Sequence, residues 1–490
     1  MILTCKEMQT AEERVFKRGI SANALMESAG QQIAEAVMQF YPTPGLCLAY
    51  CGKGHNAGDA LVACHWLREA GWKISLHLIY PRKDIAKLTL KKLSALGTLP
   101  KKPETIAPGK PIVILDGILG IGAKGELREP ILSAVQEINR LRKKQDAFTV
   151  AIDLPTGLDS ETGVPADPCV EADLTTAIAC AKSCHIADTA INVVGRLAIL
   201  PLVDLPLKGK DTAEVASPSW VGDLLIRRAF DTHKGKCGRI GIIAGSRGFL
   251  GAARLCSGGA LRAGAGLVTL YVTEDIYPLV AMSCSPEVMV KPVCSYRAVL
   301  EDKLDALAIG PGIGFAHAGD ILSLIRDAAV PMTVDADALT ILSKDISTLR
   351  HCAGARLLTP HPGEMERLDP AAGRTRRVWA EDFASRYPAT LLLKGARTLI
   401  AEKDKPPVFN STGHPGMATG GMGDVLTGVT GALLAQGYSC HQTAIIGSWV
   451  CGHAAERAVY LESQSAESLI AGDLLDALGG SFDDLRCGCY

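Results

Sequence analysis

Along the chain, short apolar runs that end in Gly or Asp alternate with longer stretches whose apolar residues recur at helical spacing. Parallel strands joined by crossover helices produce this alternation, so it predicts an α/β fold throughout. In the first half, CLAYCG, PIVILDG, FTVAIDLP and TTAIAC read as strands. In the second half RIGIIAG, LVTLYV, LDALAIG, MTVDAD, ARLLTP and ATLLLKG do. Between the two sets runs LPLKGKDTAEVASPSW, residues 205 to 220, which carries Pro, Ser and charge but no sustained apolar period. The boundary is placed near residue 214, giving domains at 1–213 and 217–490. Two sheets are expected rather than one.

Composition supports that division: 490 residues, 48% hydrophobic and 21% charged, hold enough apolar material for two large cores. A formal net charge of -1 gives no electrostatic reason for a nucleic-acid or anionic-membrane partner, so small molecules are the expected ligands. Sixteen cysteines are scattered with no CxxC pair and no Cys/His spacing typical of zinc, which predicts reduced thiols and a cytoplasmic location. The opening MILTCKEMQTAEERV turns charged before an apolar signal core can form, and no run approaches the roughly 18 apolar residues of a membrane span.

Candidate chemistry lies where predicted strands end. CLAYC runs into GKGHNAGDALVACHW, whose Gly52, Gly54 and Gly58 precede a predicted helix and offer backbone N–H groups to an anion. The spacing fits neither the P-loop nor the dinucleotide fingerprint, and a plain strand-to-helix turn with Asp59 near the helix start fits equally well. Asp116 follows PIVIL and Asp153 follows TVAI, at the strand ends where open α/β sheets bind ligands. The second half carries TGGMGDVLTG, residues 419 to 428, just before an apolar helical pattern. There the turn would deliver free N–H groups and partial positive charge to a phosphoryl group, and Asp424 would take a proton from an attacking hydroxyl. A helix cap is the competing role for Asp424. GPGIG at 310–314 and TPHPGEME at 359–366 also follow strands, and Lys394 ends one strand of a predicted hairpin, where it can meet nucleotide phosphate or simply be exposed. Met417 and Met422 read as packing residues, and His233, His414 and His453 lack a metal-ligand spacing.

GKGHNAGDALV, LDGILGIGAKGE and VAIDLPTGLDSETG resemble the NAD(P)HX epimerase family over roughly residues 1 to 212. That resemblance implies a Rossmann-like three-layer α/β/α domain. It assigns Asn56, Asp116 and Thr156 to a potassium ion. It assigns His55, Asn56, Ala57, Gly58 and Asp59, the loop Gly120, Ile121, Gly122, Ala123, Lys124, Gly125 and Glu126, and the catalytic Asp153 to the hydrated nicotinamide nucleotide. The family's loop usually reads NNGGDG, whereas this chain has HNAGDA, and Ile121 replaces a usual Thr. Alanine reaches positive φ less readily than glycine, so a change of loop shape is expected.

GSRGFLGAA, LRAGAGLVTLYV, GPGIG, LTPHPGE, LKGART and NSTGHPGMATGGMGDVLTG resemble the NAD(P)H-hydrate dehydratase family of the ribokinase superfamily over residues 217 to 485. By that resemblance Ala252, Gly314, His361 and Asp424 contact the hydrated nucleotide. Lys394, Gly395, Ala396, Arg397, Thr398 and Gly423 hold the adenine nucleotide. The combined order implies repair of both epimers of hydrated NADH and NADPH (NADHX and NADPHX), with ADP as the usual donor, Mg²⁺ on its phosphates and K⁺ in the first domain. ADP and ATP are not distinguished by the residues. A homo-oligomer is expected. A kinase of a small alcohol, with a non-catalytic nucleotide-sensing first domain, would share the ribokinase-like fold.

Overall fold

Residues 1–97, 109–122, 125–202, 205 and 207–490 are described in a computed structural model. They form two compact units, Met1–Ser217 with Tyr490, and Pro218–Cys489.

In the first unit, strand Leu46–Cys51 lies between Lys73–Leu78 and Ile112–Gly117, and Phe148–Ile152, Leu174–Ile178 and Arg196–Leu200 follow outward in that order. Every pairing in this sheet is parallel. The four expected strands occupy its centre because they are apolar on both faces, as a sheet covered on both sides requires. Lys73–Leu78 and Arg196–Leu200 were not anticipated; both are edges, and the first is only partly buried. Helix Cys5–Lys17 begins at a capping box, in which the Glu7 amide donates to Thr4 Oγ1 at 3.1 Å and the Thr4 amide donates to Glu7 Oε2 at 2.8 Å. Its buried Cys5, Met8, Ala11 and Val15 recur at helical spacing, and the last three pack beside Leu3, Cys180 and Leu202.

In the second unit, Arg239–Ile243 lies between Leu267–Thr273, with Val288–Val293 outside it, and Ala306–Ile309. Beyond Ala306–Ile309 come Met332–Val334, Arg356–Leu358 and Thr390–Leu393, all parallel, then Leu399–Ala401 and Val408–Phe409, both antiparallel. The expected hairpin around Lys394 is thus the turn between Thr390–Leu393 and Leu399–Ala401. Val288–Val293 escaped notice because Pro292 interrupts it, which an edge strand tolerates. Helix Met422–Ala435 packs on helix Leu250–Arg262 and on strands Arg239–Ile243, Ala306–Ile309 and Met332–Val334. It is buried from Val425 to Ala435, as its all-round apolar sequence demands.

Candidate active sites

The strand ends of the first unit open onto a cavity of about 500 Å³ lined by Met8, Glu12, Asn56, Asp59, Gly120, Asp153 and Lys182, among others. Asp153 is held in an unusual backbone state, with φ at 63°. Its amide donates to the Thr176 carbonyl at 3.0 Å, and its carboxylate accepts the Ile178 amide at 3.0 Å and pairs with the buried Lys182 ammonium. His185 Nδ1 accepts the Lys182 amide at 3.0 Å, so its Nε2 carries the proton and donates to the Asp153 carbonyl at 2.7 Å. Positive φ in an aspartate is costly, and this many bonds to one residue are what sustain it.

Charge is uneven around that pair. Burial opposes the Lys182 charge, but Asp153 outweighs it and the ammonium is held above the usual lysine range. Asp59 is pushed well above the carboxylate range by burial and by the nearby charges of Asp153 and Glu12. Glu12 is raised by the same two causes, burial first and Asp153 second. The lysine-paired Asp153 thus faces two acids that favour protonation, an arrangement suited to moving protons on and off one substrate.

Asp116, near the end of strand Ile112–Gly117, is fully buried and does not itself line the cavity. Its oxygens accept the Thr156 amide and hydroxyl, both at 2.7 Å, and the Ile118 amide at 3.3 Å. Burial lifts its carboxyl to about 6, and those bonds offset only part of the effect. Thr156 Oγ1 accepts the Leu119 amide at 3.2 Å, while Asn56 Nδ2 donates to the Leu119 carbonyl at 2.8 Å. One short loop therefore gathers Asn56, Asp116 and Thr156.

Other expected contacts divide. His55, Ile121 and Gly122 line the cavity; Ala57 and Gly58 face the protein interior, where a Cβ on Gly58 would strike Met26 at 2.4 Å. Gly125 and Glu126 are exposed, and Ala123 and Lys124 lie outside the described residues. The expected change of loop shape is corrected: Ala57 and Ala60 sit inside helix His55–Glu69, absent from the residues with positive φ. No left-handed conformation is lost by having alanine there.

In the second unit, Gly421 adopts φ 91° and begins helix Met422–Ala435, with Asp424 in its first turn. Only glycine takes that φ at little cost, so the GG pair sets the direction of helix entry. Gly421 occupies the cap position and has no side chain to offer, and among the described residues no side-chain hydrogen bond caps this N-terminus; Asp424 sits within the first turn rather than at the cap. Burial and the Asp335 charge lift the Asp424 carboxyl to about 6, against the opposing pull of Lys394.

Lys394 Nζ lies 2.7 Å from Asp335 Oδ1 and 3.8 Å from Glu364 Oε2. Burial opposes its charge, but Asp335 and Glu364 hold the ammonium above the usual range. Position 423 abuts this pair, since a Cβ there would lie 3.4 Å from Lys394 Nζ and 3.6 Å from Asp335 Oδ2. His361 caps helix Pro362–Leu368, its Nδ1 accepting the amides of Gly363 at 3.0 Å and Glu364 at 3.3 Å. The Gly314 amide donates to Asp337 Oδ2 at 2.9 Å, and Ala252 stands against Gly312. Gly395, Ala396, Arg397 and Thr398 form the hairpin turn, with Arg397 at φ 59° and the Ala396 carbonyl accepting Arg376 at 2.9 Å.

Sequence reasoning missed Lys182, His185, Asp335, Asp337, Glu364 and Thr427. A signal existed for two of them: MTVDAD ends a strand in carboxylates just as PIVILD and TVAID do. Lys182 carried none, because a single lysine after TTAIACA resembles any other.

Two sites built on different residues define an α/β protein of two units, each with carboxylates gathered at the ends of its parallel strands, the second beside a glycine-turn helix start. Residues 240–476 match the family described as NAD(P)H-hydrate dehydratase, and residues 22–184 match that described as YjeF-related protein N-terminus. A bifunctional NAD(P)H-hydrate repair enzyme of Moorella thermoacetica is 34% identical over 94% of this chain and 92% of its own. One from Escherichia coli K12 is 33% identical over 94% of this chain and 89% of its own. A ribokinase-like superfamily protein from Enterococcus faecalis V583 superposes with a TM-score of 0.50 at 25% identity, covering 56% of this chain and 96% of that one. The chain belongs to the family of bifunctional NAD(P)H-hydrate repair enzymes. Matches running through both halves favour that family over a small-alcohol kinase with an inert first domain. Among the described residues, no helix is long and apolar enough to cross a membrane.

Proposed function

We propose that the two activities of this family are divided between the two units: epimerisation around Asp153 in the first, nucleotide-dependent dehydration around Asp424 in the second. The enzyme repairs hydrated NADH and NADPH. The hydrated ring carries a hydroxyl at C6 that leaves poorly, and phosphorylation converts it to a good leaving group. Asp424 accepts the hydroxyl proton as that oxygen attacks the donor's terminal phosphorus, and AMP departs when ADP is the donor. Loss of phosphate from C6 and of a proton from C5 then forms the double bond of the dihydropyridine. The observation that carries this reading is Asp424 in the first turn of an uncapped helix beside the partly buried Lys394, its carboxyl lifted to about 6.

Lys394 and the Gly423 turn would hold the donor's phosphates, and Mg²⁺ on those phosphates would neutralise charge there. Ala252, Gly314 and His361 would contact the hydrate. In the first unit, Lys182 pairs with Asp153 and fixes it, and Asp59 is the nearby acid that favours its proton. Asn56, Asp116 and Thr156 would hold K⁺: they offer hard oxygens, and the buried Asp116 carboxylate accepts bonds from Thr156 and Ile118 but pairs with no basic side chain among the described residues. Potassium there would supply the missing positive charge. The two units would share substrates as a homo-oligomer in the cytoplasm. Chiral separation of NADHX epimers during incubation with ADP and Mg²⁺ tests the scheme: both epimers should be consumed by the intact chain. Consumption of one alone would leave the first unit without the proposed activity.

A further inference from the structure

Asp335 belongs to none of the contacts so far given to substrate or nucleotide, yet it joins the parts of the second site. It follows the central strand Met332–Val334, is 1% exposed, and its amide donates to the Ile309 carbonyl at 3.0 Å. Oδ1 pairs with Lys394 at 2.7 Å, at the end of another strand. Oδ2 accepts the Thr427 hydroxyl at 2.7 Å, and that hydroxyl also lies 3.0 Å from the Gly423 carbonyl. Thr427 stands three residues after Asp424, on the same side of the helix. A single carboxylate therefore ties the phosphate-facing lysine to the first turn that carries the base.

We propose that Asp335 is a positioning residue for phosphoryl transfer, which clamps Lys394 and the helix entry so that Asp424 stays unpaired and basic. The proposal rests on Asp424 being the base. Without Asp335, the nearest acids left to Lys394 are Glu364, at 3.8 Å, and Asp424 itself. An ammonium that turned to Asp424 would neutralise the group meant to take the proton. The charged and titratable groups facing Asp424 are few: Asp335 and Asp337 after the central strand, Lys394 at the hairpin, and the Cys256 thiol of helix Leu250–Arg262. Asp335 is the largest electrostatic influence among them. Removing its charge and freeing Lys394 act in the same direction, lowering the pH at which Asp424 ionises.

The test uses the full chain with S-NADHX, ADP and Mg²⁺, and measures kcat/KM against pH for wild type, Asp335→Asn and Thr427→Val, with circular dichroism to confirm folding. Asp335→Asn should move the acid limb to lower pH and depress the plateau, because a weaker base is ionised earlier and accepts the proton less well. Adding Lys394→Met to Asp335→Asn should bring the limb back up, which a merely structural role would not do. Thr427→Val, which deletes only the tie to the helix, should lower kcat ~3-fold or more, the scale of one lost hydrogen bond. An unshifted limb in folded Asp335→Asn overturns the proposal; if that variant does not fold, wild-type kcat in Thr427→Val does so. Failure of the base reading is separate, since it would show as retained turnover in Asp424→Asn with Asp335 intact.

Discussion

Both units place carboxylates at the ends of parallel strands beside a strand-to-helix turn, but they treat the key acid in opposite ways. Asp153 is strapped down: its carboxylate is paired with a fully buried lysine, and its backbone is bonded at both amide and carbonyl. Asp424 stands free at a helix start, with the nearby Lys394 occupied by Asp335. Under the proposed division of labour, the difference matches the chemistry each would do. An acid that exchanges protons reversibly with one substrate benefits from a fixed ionised partner, whereas a base that takes a proton once per phosphoryl transfer must reach a hydroxyl with its lone pairs unoccupied.

The sharpest break between the sites should come from Asp424→Asn. Dehydration should fall roughly 10²-fold or more, the scale of a lost general base, while epimers still interconvert and adenine-nucleotide binding is retained. Isothermal titration with ADP and single-epimer kinetics check this. Next in size, Asp153→Ala should abolish epimer interconversion and leave dehydration of the S epimer at its wild-type rate. That change also strands the buried Lys182, which costs about 3–5 kcal/mol. Asp153→Asn with Lys182→Met removes both charges together and should restore thermal stability without restoring interconversion.

The pH response should separate the two sites further. Asp424 must be ionised to act, and its carboxyl lies at about 6, so kcat/KM for dehydration should rise with pH through that value and then level. A limb in the ordinary carboxylate range would show that burial and Asp335 do not govern the base. Potassium should act on the first unit alone, raising Tm saturably in wild type and having no effect in Asp116→Asn, measured by differential scanning fluorimetry at fixed ionic strength. The smallest effect is expected from Ala57→Gly, which should cost about 1 kcal/mol of stability and leave epimerisation unchanged, because position 57 is ordinary buried helix.

Central strands were legible in the sequence because a strand covered on both faces must be continuously apolar; the edges Lys73–Leu78 and Val288–Val293 were not, being partly exposed or broken by proline. The glycine turn before Asp424 could be read because positive φ leaves a compositional mark, as Gly421 shows. The HNAGDA departure suggested an altered loop, but those positions lie past the turn, inside the helix. Motif resemblance alone did not locate the ion pairs. Lys182 lies 29 residues from Asp153 and Lys394 lies 59 from Asp335, and side-chain partners so distant in sequence leave no local pattern.

The division of labour between the two units is tested most directly by following both C6 epimers of NADHX by chiral chromatography, with ADP and Mg²⁺, in wild type, Asp153→Ala and Asp424→Asn. Wild type should consume both epimers. Asp153→Ala should consume the S epimer at the wild-type rate and leave the R epimer to its spontaneous loss, and Asp424→Asn should hold the two in interconverting equilibrium with almost no NADH formed. If folded Asp153→Ala still drains both epimers, or Asp424→Asn still regenerates NADH at the wild-type rate, the two activities are not divided between Asp153 and Asp424.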